Sequence, residues 1–150
     1  MRTRVNNLGE MDSFAASFVG KIVAVGERKK ALVVGLAGDL GSGKTTFVKA
    51  AALALGIKNT VTSPTFVIEK IYKLPKRAEK EGFSHLIHID AYRLEGGEEL
   101  EALGWSNVAS DPANLIFIEW PERVKEILPD DMVNMEFEFM DENVREVEIN

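Results

Sequence analysis

An unbroken apolar run, Ala31-Leu32-Val33-Val34-Gly35-Leu36-Ala37, leads directly into Gly38-Asp39-Leu40-Gly41-Ser42-Gly43-Lys44-Thr45-Thr46, and an amphipathic segment follows. The run lacks the polar alternation of a half-exposed strand, so it predicts a central strand covered on both faces. From Lys44 to Leu55, the side chains of Phe47, Val48, Ala51, Ala52 and Leu55 share one helical face, and Gly56 stands where a helix C-cap is expected. A strand, a glycine-rich turn and a helix in that order predict an α/β architecture.

The turn matches G-x-x-x-x-G-K-[ST], and each position has a physical reason. Glycines let backbone N–H groups turn inward around an anion, and the next helix adds its unpaired N-terminal donors and positive dipole end. Lys44, expected to be exposed on the loop, would reach the β- and γ-phosphates of a nucleotide, and the Thr45 hydroxyl would be one oxygen ligand on Mg²⁺. Gly38, Gly41, Ser42, Gly43 and Thr46 complete the expected phosphate cradle. Chance alone gives this pattern in roughly one chain in a hundred of this length. Its setting between a buried strand and an amphipathic helix makes nucleotide binding the stronger reading.

The remaining chain reads as one P-loop-like α/β domain over residues 1–150, with flanking helices on a mixed central sheet. Phe14, Phe18, Ile22 and Val25 predict a helix over Ser13 to Val25. Phe66 to Tyr72 alternates as a strand, Leu86 to Asp90 and Leu115 to Glu119 read as buried strands, and Glu98 to Leu103 as a short helix. The Lys- and Glu-dense stretch Pro75 to Gly82 reads as a solvent-facing loop. Met132 to Met140 and Val144 to Ile149 predict two antiparallel strands closing one edge of the sheet. Cysteine is absent, which excludes disulfides, thiolate zinc sites and cysteine nucleophiles and fits a reducing cytoplasm. The sequence offers neither a secretory leader nor an apolar stretch long enough to span a membrane. A net charge of −6 argues against sequence-independent gripping of nucleic acid by this chain alone.

Phosphoryl transfer is catalysed largely by positioning and electrostatics, so a P-loop protein also needs carboxylates beside its metal and attacking water. Asp90 and Glu119 each end an apolar run, and ligands of open α/β sheets sit beyond the carboxyl ends of the strands. Either can be the Walker-B-type acid, and either can instead cap a helix or face water. Thr65, in Ser63-Pro64-Thr65-Phe66, lies where P-loop proteins carry a γ-phosphate-sensing threonine, although Ser-Pro also favours a plain turn. His88, Asp90 and Tyr92 fall on one side of an extended segment with Arg93 next, which gathers polar groups at one strand end. A lone histidine in a strand is more often structural, and His85 is read that way. Trp120 is open between stacking near the nucleotide or a partner and anchoring the core.

Taken together, Gly38 to Phe47, Ser63-Pro64-Thr65-Phe66, His88-Ile89-Asp90-Ala91-Tyr92-Arg93-Leu94 and Glu119-Trp120-Pro121 resemble the bacterial TsaE (YjeE) family. The resemblance runs from about Ser13 to the C-terminus; Ser42 replaces the alanine common in the family but leaves the backbone donors intact. It implies an ATPase that works with the TsaD and TsaB proteins to form N6-threonylcarbamoyladenosine at position 37 of tRNAs reading codons that begin with adenine. On that analogy ATP and Mg²⁺ are the cofactors. Thr45 and Glu119 hold the metal, Asp90 is the Walker-B-like acid at the same centre, Thr65 belongs to a switch-like loop, and Trp120 lies beside the nucleotide. The tRNA would be met only indirectly, through the complex, and no membrane is involved.

Three other readings share the P-loop. A small-molecule kinase would carry lid arginines, yet beyond the loop only Arg77, Arg93, Arg123 and Arg145 occur, with no cluster in sequence. A GTP-dependent switch would carry Asn-Lys-x-Asp, which is absent. A nucleotide-bound scaffold whose hydrolysis is incidental is the third.

Overall fold

The computed structural model describes residues 1–58, 68–75 and 82–150. Thr65 and its Ser-Pro-Thr-Phe segment, and most of the Pro75 to Gly82 stretch, lie outside the described residues. The strands are β1 Arg2–Val5, β2 Leu32–Ala37, β3 Glu69–Lys73, β4 His85–Asp90, β5 Asn114–Glu119, β6 Val133–Phe139 and β7 Arg145–Ile149. The helices are α1 Leu8–Val23, α2 Lys44–Ala54, α3 Gly97–Ala102 and α4 Trp105–Ser110, and a 3₁₀ segment covers Pro121–Ile127.

Among the described residues, seven strands join one mixed sheet in the order β1-β7-β6-β2-β5-β4-β3. Its centre is parallel: β2 pairs with β5 and β6, and β5 with β4. In that register Leu36 lies opposite Glu119, and Glu119 opposite Asp90. The glycine loop leaving β2 therefore emerges at the sheet edge where both candidate carboxylates stand. The antiparallel pairs are outside, β3 on β4 at one side and β6-β7-β1 at the other.

Burial follows the patterns in the sequence. Strands β2, β4 and β5 are covered on both faces, so their apolar residues divide between two cores. Val34, Leu36, Leu86, Leu115 and Phe117 pack under α1 and α2, while Val33, Ile87, Ile89, Ile116 and Ile118 pack with Leu94, Leu100, Trp105 and Val124. Phe47 of α2 is fully buried, with the rings of Phe14, Phe18, Phe117 and Phe137 all 5.7 to 5.8 Å away, so truncating it would cost about 3–5 kcal/mol. This anchors the helix that carries Lys44 and Thr45.

Both ends of α1 and the identity of the edge strand differ from the sequence expectation. Helix α1 begins at Leu8 rather than Ser13, because Asn7 caps it: its side chain accepts from the Glu10 N–H at 2.9 Å, and Glu10 accepts from the Asn6 N–H at 2.7 Å. The helix stops at Val23, leaving Val25 exposed rather than on the buried face. The C-terminal hairpin does not close the sheet, since β1 pairs with β7 and takes the edge.

Candidate nucleotide-binding site

Residues Gly38 to Gly43 curl between β2 and α2 in conformations that L side chains rarely adopt, with φ of 142° at Gly38, 78° at Gly41 and 107° at Gly43. At Gly38 space is limiting too, because an added Cβ would stand 2.5 Å from the Phe137 carbonyl oxygen. The Ser42 N–H bonds the Asp39 carbonyl at 3.1 Å and tightens the turn, whereas the buried Ser42 Oγ has no hydrogen-bond partner among the described residues.

Lys44 is not exposed as expected from its place in the motif; it is 5% exposed. Its ammonium folds back to donate to the carbonyls of Gly38 and of Asp39, the latter at 3.1 Å, and lies 4.2 Å from the Trp120 ring centroid. Loop carbonyls and the indole face thus stand in for an anion around the charge. Burial pulls its pKa below the ordinary lysine value, opposed by the carboxylates of Glu119, Glu122, Asp90 and Asp39.

Beneath the lysine, Thr45 Oγ1 lies 3.1 and 3.2 Å from the two carboxylate oxygens of Glu119. Glu119 is 4% exposed, and its Oε2 also stands 2.6 Å from Nε2 of the fully buried His88. One β-strand over, Asp90 accepts the Tyr92 N–H at 3.0 Å. Burial raises the Asp90 pKa above the usual carboxylate value, with the negative charge of Glu119 adding to the effect and the Tyr92 bond opposing it.

Trp120 follows at φ 59°, the one non-glycine positive φ among the described residues. Such a conformation costs about 1–3 kcal/mol and persists where its surroundings enforce it. Here the Trp120 N–H bonds the Leu36 carbonyl at 3.2 Å, Pro121 starts the 3₁₀ segment, and the ring meets Tyr92 at 5.0 Å. The indole is a wall of the site and only partly buried.

These groups line a cavity of about 1060 Å³. Asp39 to Thr46, Asp90, Glu119 and Trp120 all border it, so every sequence candidate of the loop except Gly38, and both carboxylates, come together. Gly38 lies just behind, contributing its carbonyl to Lys44. The sequence reading missed the opposite wall: Val5, Asn7, Leu8, Gly9 and Met11 at the start of the chain, and Glu142, Asn143 and Arg145 at the β6–β7 turn. No local motif marks them, because strand pairing of the two chain ends brings them here; the Asn7 cap was the one available signal. Arg93 and Arg145 also border the cavity, two arginines that are distant in sequence.

Among the described residues, no three His, Cys, Asp or Glu side chains gather as a metal-holding group. The oxygen donors of Thr45 and Glu119 nevertheless fit Mg²⁺, which in phosphate sites takes one or two protein ligands and completes its shell from water and phosphate.

Comparison with known proteins identifies relatives of the chain. The profile of a family described as "Threonylcarbamoyl adenosine biosynthesis protein TsaE" matches residues 5–147. A protein of Rickettsia prowazekii, named tRNA threonylcarbamoyladenosine biosynthesis protein TsaE, is 34% identical over 142 residues, spanning 94% of this chain and 88% of its own. One of the same name from Aquifex aeolicus is 41% identical over 119 residues, 78% of this chain and 75% of its own. Among solved structures, the crystal structure of Bacillus subtilis YdiB superposes with a TM-score of 0.68 at 26% identity, covering 98% of this chain and 82% of that one. The chain belongs to the TsaE family of proteins of tRNA threonylcarbamoyladenosine biosynthesis.

Proposed function

We propose that this chain binds ATP with Mg²⁺ in the 1060 Å³ cavity and hydrolyses it to ADP and phosphate, as the energy-consuming partner of TsaD and TsaB in forming N6-threonylcarbamoyladenosine on tRNA. The observation that carries the reading is the contact of the Thr45 hydroxyl with both carboxylate oxygens of Glu119, directly below a glycine loop that holds Lys44.

In this reading the glycine-loop N–H groups and the N-terminus of α2 receive the phosphates. Lys44 exchanges its loop carbonyls for phosphate oxygens, a gain for an ammonium already withdrawn from water. Thr45 donates its proton to Glu119, which leaves the hydroxyl lone pairs for a cation; Thr45 and Glu119 would hold Mg²⁺. When bound, the ion neutralises charge on the phosphate oxygens. Asp90, whose raised pKa suits proton acceptance, orients the attacking water. Trp120 shields Lys44 on one side. The base and ribose occupy the wall formed by Asn7, Leu8, Met11 and Asn143. Thr65, on the resemblance, senses the γ-phosphate.

TsaD and TsaB would hold the tRNA, consistent with the −6 charge of this chain. A cytoplasmic setting goes with that task; among the described residues no helix is long and apolar enough to cross a membrane. Phosphate release from ATP, assayed beside transfer to nucleoside acceptors, tests the reading: release without transfer supports the hydrolase, and acceptor phosphorylation supports a kinase instead.

A further inference from the structure

His88 takes no part in the loop and is not among the cavity-lining residues, yet among the described residues it makes the shortest polar contact with Glu119. It sits on β4, two residues before Asp90, among Leu86, Ile87 and Ile89, and its side chain is fully buried. Nε2 stands 2.6 Å from Glu119 Oε2, at the short end for an N–H···O⁻ contact, while Nδ1 has no partner among the described residues.

The empty Nδ1 selects the tautomer. A proton on Nδ1 would leave a buried donor unsatisfied and set the Nε2 lone pair against a carboxylate oxygen. A proton on Nε2 places the donor on Glu119 and leaves unmet only an acceptor, the cheaper omission. A merely structural histidine would use both nitrogens, or be replaced by an apolar side chain at lower cost. The imidazole instead directs its one bond at one oxygen of one carboxylate.

We propose that His88 is a positioning residue for hydrolysis: its Nε2–H fixes the Glu119 carboxylate through Oε2, so that Oε1 and the Thr45 hydroxyl stay turned toward the phosphate loop. The inference rests on the proposed role of Glu119 at the metal. Without this bond the carboxylate, held among the described residues by the longer Thr45 contacts, would rotate and lose its fixed direction.

The test compares wild type with His88→Leu, His88→Gln and Glu119→Gln. Gln can bring an amide N–H close to the place of Nε2, whereas Leu cannot donate. For His88→Leu we expect kcat to fall by roughly tenfold or more, and the Mn²⁺ concentration for half-saturation of the protein·ADP complex, read by electron paramagnetic resonance, to rise by a similar factor. ADP affinity in chelator stays within about twofold of wild type, and His88→Gln recovers most of both losses. His88→Leu added to Glu119→Gln causes little further loss. If His88→Leu does not fold, His88→Asn replaces it: its shorter amide falls short of Glu119, so it must be clearly weaker than His88→Gln. Wild-type Mn²⁺ binding and turnover in His88→Leu, with Glu119→Gln impaired, would overturn the inference alone, as would equal behaviour of the Gln and Asn variants. Normal turnover by Glu119→Gln would remove the role of Glu119 itself, and the inference with it.

Discussion

Thr45 and Glu119 are 74 residues apart in the chain, yet the threonine hydroxyl rests between the two oxygens of the buried carboxylate, 3.1 and 3.2 Å away. If the pair acts as one unit, Thr45→Ala and Glu119→Gln should each lower turnover by about tenfold or more, and the double variant should be little worse than the poorer single one. Steady-state phosphate release on all four proteins checks this. Losses that multiply would mean that the contact has no part in catalysis.

The glycine loop separates two kinds of glycine requirement. At Gly38 a side chain meets the Phe137 carbonyl oxygen at 2.5 Å, whereas at Gly41 no atom of the described residues lies within 4 Å and the positive φ is what resists substitution. Gly41→Ala should therefore cost about 1–2 kcal/mol. Gly38→Ala should cost about 3 kcal/mol or more and displace the loop, with loss of ATP binding. Denaturant unfolding of both variants decides it; equal costs would contradict the geometry.

Asp90 gives stability a predictable pH dependence. Its pKa is raised in the fold, chiefly by burial, so the folded state binds this proton more tightly than the unfolded chain. Stability from this group is fully present below the unfolded value near 3.8 and is lost as pH rises through the raised folded value. Asp90→Asn keeps an acceptor for the Tyr92 N–H and removes the titration. The variant should be more stable than wild type at neutral pH without nucleotide, with the difference shrinking as pH falls through the raised folded value and gone by about pH 4. Thermal unfolding across pH shows whether it does; a constant difference would assign the effect to something other than this carboxyl.

Ser42 carries a buried hydroxyl with no hydrogen-bond partner among the described residues. Removing an unsatisfied buried hydroxyl recovers about 1 kcal/mol. Ser42→Ala should unfold at higher denaturant with unchanged ATP affinity, since the backbone N–H that bonds Asp39 is kept. A destabilised Ser42→Ala would mean that the hydroxyl has a partner in solution.

What the sequence conveyed was local. The run Ala31 to Ala37 and the face Phe47-Val48-Ala51-Ala52-Leu55 predict β2 and α2 because burial on both faces, or on one stripe, is written in consecutive residues. Asp90 and Glu119 were legible for the same reason, as carboxylates ending two apolar strands. Strand β1 was not: it is four residues long with only Val5 buried, and its existence depends on β7, at the other end of the chain. The cavity wall at Asn143 and Arg145 escaped likewise, since no spacing in the chain says that this turn will face the glycine loop. Lys44 was misjudged because its motif says what it binds, and not that loop carbonyls and Trp120 enclose it. His88 stood among the candidates, but its contact with Glu119 follows from parallel pairing of β4 with β5 and from no feature of either strand alone.

The most direct test of the central claim is phosphate release from ATP by the purified chain and by Lys44→Ala, each alone, with tRNA, and with TsaB and TsaD. The described residues place two arginines at the cavity, far apart in sequence and not as a cluster from one segment, and a P-loop site without a fully assembled clamp turns over slowly until a partner completes it. Slow release by the wild-type chain, little change with tRNA, clear stimulation by the TsaB and TsaD pair, and no release from Lys44→Ala under any condition are expected. Release by well-folded Lys44→Ala at the wild-type rate, or equal wild-type rates with and without partners that demonstrably associate, would contradict it.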